Sequence, residues 1–311
     1  MSQEIINIQS ISQLHNCVGL DKPTHPLISL VDVSQLETQQ EGIGMRMTSS
    51  LYMIAIKDKN CGLQYGRNTY DFDEGVMYFT APHQIMEVTN AQKKGERQGW
   101  VINFHPDLIR NLPLGKTIEN YNFFSYDVHE ALHLSEAEQQ TIMDCVNIIK
   151  NEISERIDNH SQTVIASSLE LLLNLSQRFY ERQFNTRSAK NSDILSQFEV
   201  LLKKYYQEGK FTTIGIPSVE YIAEKVFLSP NYLSDLLKKE TGQSARDKIN
   251  SFIIEKAKTR LLSETTLVSE IAYDLGFNYP HYFNRLFKSK TGKTPKEYRQ
   301  LKKKECFEEI T

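Results

Sequence analysis

The sequence predicts an α+β protein of two domains, with an antiparallel β domain and a helical pair first and an all-α domain second. At 311 residues the chain is longer than most single cores become. Short β-type segments dominate up to about residue 104, and helical periodicity dominates from about residue 135. We therefore place the domains at 1–184 and 193–304, with a polar linker at 185–192.

The β-type segments lie between about Leu27 and Phe104. Turn signals such as Asp73-Glu74-Gly75 and Ala81-Pro82 separate them at short intervals. This spacing favours an antiparallel sandwich or a small barrel. The segments are SLYMIAI (50–56), GLQYGRNTYDF (62–72), GVMYFTAP (75–82), HQIMEV (83–88) and WVINF (100–104).

Two amphipathic helices follow the β-type segments. Ser135 and Glu138 have the spacing of a capping box that opens the first helix. Its apolar stripe consists of Ile142, Val146, Ile149 and Ile153, and a second helix over 162–184 carries Ile165, Leu169, Leu172, Leu173 and Phe179. Such a pair either covers the sheet or forms a dimer seam, and the periodicity leaves both roles open.

The charge of the chain is distributed unevenly. The formal net charge is −3, but residues 193–304 hold 20 Lys and Arg against 13 Asp and Glu, a net charge of +7. A basic segment of this kind could replace counterions along a phosphate backbone, although a solvated basic face has the same composition.

The cysteines and the apolar runs limit the class of protein. The four cysteines are scattered and form no CxxC pair, which argues against a zinc ribbon and favours reduced structural thiols. The polar start and the lack of a long apolar run predict a cytoplasmic protein that does not enter a membrane.

The most informative feature is an internal repeat. The segments 230–242 and 280–292 are identical at six of thirteen positions, at an offset of 50. Ile222-Ala223 matches Ile271-Ala272 upstream at an offset of 49, and the capping signals that begin at Ser244 and Thr294 match downstream. The chain therefore contains two copies of one helical unit.

Each copy has the composition of a helix, a tight turn and a second helix. In the second copy Gly276 allows the sharp turn, Asn278 is the expected cap and Pro280 lies in the first turn of the second helix. In the first copy Ser229 is the expected cap, and Phe227 stands where Gly276 stands. We therefore expect the first turn to have a different shape.

Apolar spacing assigns one face of each second helix to the core and leaves a polar face opposite. Short polar and basic groups on such a face can reach base edges and phosphates in the major groove. The expected DNA-binding residues are Asn231, Ser234, Lys238, His281, Asn284, Arg285 and Lys288. Asp235 lies on the same face but is left out, because a salt bridge to Lys238 or Lys239 explains it equally well.

The segment between the copies reads as one helix over 245–262. Eighteen helical residues span about 27 Å, close to the roughly 34 Å of one turn of DNA. A strut of this length could place both second helices in successive major grooves on one side of a duplex.

These residues resemble the AraC/XylS family of bacterial transcription regulators over about 193–300. The resemblance is carried by IAYDLGF (271–277), YFNRLFK (282–288), TGKTP (291–295) and Tyr298-Arg299. It implies that the helices at 230–241 and 280–290 read DNA and that a linker helix joins them.

The first 180 residues resemble more weakly the cupin-like sensing domain that such regulators often carry. Cupin enzymes hold a metal with a His-x-His pair, a Glu and a later His, but His83 and His105 stand alone here. We therefore expect no metal, no cofactor and no catalytic residue. His83, Tyr78 and Trp100 fit either a small-molecule pocket or simple packing.

The leading hypothesis is a sequence-specific DNA-binding transcription regulator that is not an enzyme. Its expected partner is double-stranded promoter DNA, and RNA polymerase, a small-molecule effector and a second copy of the chain are further candidates. The alternatives are a metal-dependent cupin enzyme with an appended helical domain, and a helical adaptor that binds only protein.

Overall fold

A computed structural model describes residues 5–36, 46–57, 75–87, 99–127, 130–186 and 188–300. The chain divides into two compact units, residues 1–186 and 187–311. In the stretch expected as a linker, residues 185–186 and 188–192 are helical. This stretch has few apolar residues, but it contains no proline or glycine to end a helix.

The strands described in the first unit form two sheets. Five strands form an antiparallel sheet in the order β2-β7-β4-β5-β8, and the other three form a sheet in the order β1-β3-β6. The strands are β1 (Ile6–Ile8), β2 (Ile28–Asp32), β3 (Arg46–Ser49), β4 (Tyr52–Lys57), β5 (Gly75–Thr80), β6 (Ile85–Glu87), β7 (Gly99–Phe104) and β8 (Leu132–Leu134).

The antiparallel prediction holds for the five-stranded sheet but not for the whole unit. Strand β1 pairs with β3 in parallel, with Ile6 opposite Met47. Strand β1 lies upstream of the region that the turn signals cover, so those signals could not indicate its pairing. The predicted strand segment 62–72 lies outside the described residues.

The core of the first unit lies against the central strands of the large sheet. Ile54 of β4 is opposite Ile102 of β7, and both side chains are fully buried. Trp100 is buried too, and its indole Nε1 donates to Met143 Sδ at 2.9 Å. Trp100 therefore packs as an ordinary core residue, whereas His83 is exposed.

The helical pair is α3 (Glu136–Ser154) and α4 (Ser161–Thr186), and the shorter helices of this unit are α1 (Ile11–Cys17) and α2 (Pro113–Thr117). The capping box predicted at Ser135 and Glu138 is present. The predicted apolar stripes of α3 and α4 are buried. Both helices pack on each other and contact the large sheet, so the pair covers the sheet. A dimer seam on its outer side stays a prediction.

Two neighbouring side chains of α4 bind the edge strand β8. The Gln183 side chain accepts from His133 N at 2.8 Å and donates to Ala131 O at 3.2 Å. Arg182 donates to His133 O and to the Glu138 carboxylate, each at 2.6 Å. The side chains thus satisfy backbone groups that an edge strand would otherwise leave open.

The second unit is all α in the part that the structure describes. Its helices are α5 (Ser188–Gln207), α6 (Lys210–Thr213), α7 (Val219–Lys225), α8 (Pro230–Thr241), α9 (Ala245–Ser263), α10 (Val268–Asp274) and α11 (Pro280–Thr291). Helix α9 confirms the predicted connecting helix and extends one residue further than expected.

Other sequence expectations concern thiols, metals and membranes. Cys17 and Cys145 are free thiols, and Cys61 and Cys306 lie outside the described residues. Within the described ranges, no three His, Cys, Asp or Glu side chains group in a way that could hold a metal ion. No helix in those ranges is both long enough and apolar enough to cross a membrane.

Leu169 and Leu171 on α4 test the packing of the helical pair. Leu169 is fully buried, whereas Leu171 is 50% exposed. Leu169→Ala should lower the free energy of unfolding of the first unit by about 2–5 kcal/mol, because it leaves a cavity in the core. Leu171→Ala should change it by less than about 0.5 kcal/mol.

The measurement is urea unfolding followed by tryptophan fluorescence. Trp100 is the single tryptophan and lies in the core of the first unit, so its emission reports that unit alone. Equal losses for the two variants would contradict the assignment of the buried face of α4.

Candidate nucleic-acid interface

The repeat found in the sequence forms two helix-turn-helix units, α7–α8 and α10–α11. Ser229 caps α8, and its hydroxyl accepts from Tyr232 N at 3.2 Å. Pro230 and Pro280 occupy the first turns of α8 and α11, as predicted.

The expected cap of α11 was wrong. Helix α11 begins at Pro280, so the cap position is Tyr279, which makes no side-chain capping bond. Asn278 lies one residue too early to cap the helix. An offset of 50 aligns Ser229 with Tyr279. Asn278 aligns with Ser229 only at the offset of 49, which applies to the upstream helices.

The two turns have the same backbone shape, which corrects a second expectation. Phe227 and Gly276 both take left-handed conformations, with φ of 58° and 86°. The turns also share a hydrogen bond, from Leu228 N to Ala223 O and from Phe277 N to Ala272 O, each at 3.0 Å.

A left-handed conformation costs a residue with a side chain about 1–2 kcal/mol. Phe227 nevertheless adopts it, and its side chain is 84% exposed, so the chain outside the turn leaves room for the ring. The tertiary fold therefore imposes the turn in the first copy, whereas glycine permits it in the second.

Apolar side chains hold the second helices in place. Leu233, Leu236 and Leu237 of α8 and Phe283 and Phe287 of α11 are fully buried, as predicted. Both helices end on a left-handed glycine, Gly242 or Gly292, whose N–H donates to a lysine carbonyl at 2.8 Å. The two copies thus agree in their core and at their C-termini.

The polar faces point away from this core. On α8, Asn231 and Lys238 are exposed, and Ser234 and Asp235 are half-buried. On α11, His281, Asn284, Arg285 and Lys288 are all exposed. The structure therefore brings the seven expected residues onto two accessible faces, and their contact with DNA stays a prediction.

A cluster of exposed aromatic side chains beside the second polar face was not predicted from the sequence. The rings of His281 and Tyr282 lie 4.1 Å apart, and Tyr279 is 5.9 Å from His281. Tyr282 is 54% exposed, whereas its counterpart Tyr232 is 5% exposed. Because the aligned tyrosines are identical, the repeat alone could not distinguish them.

Helix α9 connects the two helix-turn-helix units, and side chains near both ends of α9 bind the second of them. Its 19 residues span about 28 Å. Near its start, Asp247 accepts from Ser244 at 2.8 Å and from Lys290 of α11 at 3.2 Å. These two bonds lower the pKa of Asp247, the Ser244 bond most.

Near the end of α9, Arg260 binds two carboxylates. It donates to Glu264 at 2.8 Å and to Asp274 of α10 at 2.7 Å. The hydrogen bonds raise the pKa of Arg260 and lower that of Glu264. The guanidinium fork thus fixes the C-terminal end of α10 to the connecting helix.

The comparisons with known proteins fall on this part of the chain. A family described as a helix-turn-helix domain matches residues 222–301, about a quarter of the chain. The second unit carries an AraC-type helix-turn-helix domain. Its homologues are transcription regulators of the AraC/XylS family, which is not a family of enzymes.

Three similar proteins illustrate the match. An uncharacterized HTH-type regulator of Escherichia coli K12, YijO, is 38% identical over 81 residues, 26% of this chain and 29% of the relative. The xylose operon regulatory protein of the same strain is 32% identical over 83 residues, 27% of this chain and 21% of its own length.

The third is a solved structure, the C-terminal domain of the response regulator yesN from Fusobacterium nucleatum. It is 34% identical and covers 32% of this chain and 96% of its own length, with a TM-score of 0.29. The two curated relatives are matched over less than a third of their own lengths, so the similarity concerns the AraC-type domain.

The matched cap positions supply a test of the local structure. Ser229→Ala should lower the free energy of unfolding of the second unit by about 1 kcal/mol, because it removes the bond to Tyr232 N. Tyr279→Ala, at the same position of the second copy, should change it by less than about 0.5 kcal/mol. Urea unfolding followed by far-UV circular dichroism measures both; an equal loss would contradict the difference in capping.

Proposed function

We propose that this chain is a sequence-specific DNA-binding transcription regulator in which α8 and α11 are the recognition helices. The observation that carries the proposal is the pair of matched helix-turn-helix units with accessible polar faces, joined by one helix. A recognition helix fits the major groove, and units about one DNA turn apart reach successive grooves. One chain can then occupy two grooves.

The chemistry of the polar faces assigns a role to each side chain. Arg285 is suited to a guanine edge, and Asn231 and Asn284 are suited to adenine. Lys238 and Lys288, at the C-terminal ends of their helices, are suited to phosphates. Ser234 and His281 complete the two faces as donors or acceptors for bases or phosphates.

The charge of the segment supports the same proposal. The net charge of +7 over residues 193–304 favours a phosphate backbone, whereas the net charge of −7 over 1–192 does not. The overall charge of −3 therefore conceals a basic DNA-binding part.

The first unit is proposed as the regulatory part. Its two sheets and helical pair are consistent with a cupin-like sensing domain that binds a small-molecule effector or a second copy of the chain. Ile148 of α3 and Val164 of α4 are exposed, at 48% and 37%, and could contribute to a dimer seam. RNA polymerase is a further proposed partner of the bound regulator.

Arg285 tests base recognition. Arg285→Ala should weaken binding to a duplex selected by the wild-type protein by about 1–3 kcal/mol, because a bidentate contact to guanine is lost. Arg285→Lys is the matched control. It keeps the charge but not the planar fork, so it should retain non-specific affinity and lose sequence preference.

Selection from a random duplex pool, followed by titration of selected and scrambled DNA, measures both quantities. Unchanged preference in both variants would remove Arg285 from the proposed interface. Failure of the wild-type protein to enrich any duplex would contradict the proposed function itself.

Lys288 and Lys238 test the phosphate contacts. Lys288→Ala should weaken binding evenly across sequences and reduce the slope of log affinity against log salt by about 1. Lys238→Ala should act in the same way. Lys239→Ala is the control, because it removes the same charge from α8 about 100° away around the helix.

Titrations at several salt concentrations give the slopes. A larger effect of Lys239→Ala than of Lys238→Ala would contradict the proposed orientation of α8.

A further inference from the structure

Helix α9 is not the only link between the two helix-turn-helix units. Helix α5 contacts α8, and the ring of Tyr205 in α5 lies 5.4 Å from that of Tyr221 in α7. The segment 211–216, which follows α5 at the start of the second unit, packs against the turn of the second helix-turn-helix. A Cβ atom added to Gly276 would lie 2.8 Å from Ile216 N, 2.9 Å from Gly215 C and 2.9 Å from Phe211 O. The neighbours are all backbone atoms, so the gap cannot open by a side-chain rotation.

Gly276 therefore satisfies two separate requirements. Its φ of 86° suits glycine, and its missing side chain allows the close backbone approach. Phe227 stands at the same place in the first copy with the same type of φ and carries a full aromatic side chain. The turn alone thus does not require glycine, and the contact with 211–216 does.

A hydrogen bond and an ion pair meet beside this contact. Thr212 Oγ1 donates to Asp274 O at 3.0 Å, and Arg260 of α9 binds the carboxylate of the same residue at 2.7 Å. The C-terminal end of α10 is therefore held from two directions, by α6 and by α9. Arg299 adds bonds to Leu261 O and Thr266 O at 3.1 and 2.8 Å.

The segment 211–216 is itself anchored in the core of the second unit. Phe211 is buried and its ring lies 5.3 Å from that of Tyr205 and 6.3 Å from that of Phe252 in α9. The Tyr205 hydroxyl donates to Gly215 O at 3.1 Å. The surface that meets Gly276 is therefore fixed to α5 and α9.

The geometry points to a rigid brace, formed by residues 211–216 with Asp274 and Gly276, that sets the spacing and rotation of α11 relative to α8. Thr212 and Gly276 are positioning residues within it, since neither lies on the proposed recognition faces. The inference rests on the proposed function and adds to it: the brace makes the protein selective for the distance between two DNA boxes.

The physical basis of this selectivity is the helical twist of DNA. One added base pair rotates the second box by about 35° around the duplex axis. A rigid pair of recognition helices cannot follow that rotation, whereas a pair joined by α9 alone could bend to follow it. The brace should therefore lower the affinity of the protein for duplexes in which the distance between the two boxes is altered.

The experiment uses the full chain and a two-box duplex selected by the wild-type protein. Its spacer is lengthened or shortened by one base pair, and a third duplex has one box scrambled. Wild type should lose about tenfold in affinity for each altered spacer. Thr212→Val should reduce this penalty to about threefold and leave binding to the one-box duplex unchanged.

Thr213→Val is the matched control, because Thr213 Oγ1 bonds to Gly209 O, at the N-terminus of its own helix. It should show the wild-type penalty. Gly276→Ala should reduce the penalty further than Thr212→Val, with circular dichroism reporting whether the variant folds. Thr212→Val keeps the test decisive if Gly276→Ala does not fold.

Two results separate the inference from the proposed function. Tight wild-type binding with the same spacer penalty in Thr212→Val and Thr213→Val would overturn the brace and leave DNA binding intact. A wild-type protein that selects no duplex would overturn both.

Discussion

The second unit depends on the burial of one helix between two small cores. A single helix-turn-helix is too short to bury a stable core of its own, since the fraction of surface that a chain buries on folding falls as the chain becomes shorter. Helix α9 contacts α8 of the first helix-turn-helix and both α10 and α11 of the second. Its buried residues are Ala245, Ile249, Ile253, Ile254, Ala257 and Leu261. Helix α9 therefore completes the core of each helix-turn-helix and also connects one helix-turn-helix to the other.

This shared core explains why the two polar faces are held together. A flexible linker would leave the relative position of the two recognition helices open, and each would then bind DNA almost independently. Burial of α9 removes that freedom, and the bonds of Asp247 and Arg260 at its two ends reinforce it. The burial of α9 therefore both stabilises the fold and fixes the geometry of the proposed DNA-binding surface.

Much of the second unit could be predicted from the sequence because its signals are local. Ser229 followed by Pro230 marks the start of a helix, and apolar spacing separates the core of α8 from its polar face. The repeat strengthened these signals, because the same pattern occurs twice. The β-type segments were located for the same reason, by turn residues and short apolar runs.

Apart from the Asn278 cap, which was misplaced by the alignment offset, the features that the sequence did not predict depend on tertiary contacts. The left-handed Phe227 has no sequence signal, because an aromatic residue disfavours that conformation. The close approach of residues 211–216 to Gly276 joins segments 60 to 65 residues apart, and the parallel pairing of β1 with β3 joins residues 41 apart. The exposure of Tyr282 likewise follows from packing, since its aligned partner Tyr232 is buried.

We propose that one chain presents two recognition helices to successive grooves on one face of a duplex. Hydroxyl-radical footprinting of the full chain on a duplex that it has selected measures this most directly, with the number of bound chains determined in parallel. We expect two protected segments per chain on the same face, about 10 base pairs apart. One protected segment per chain, or two segments on opposite faces, would contradict it.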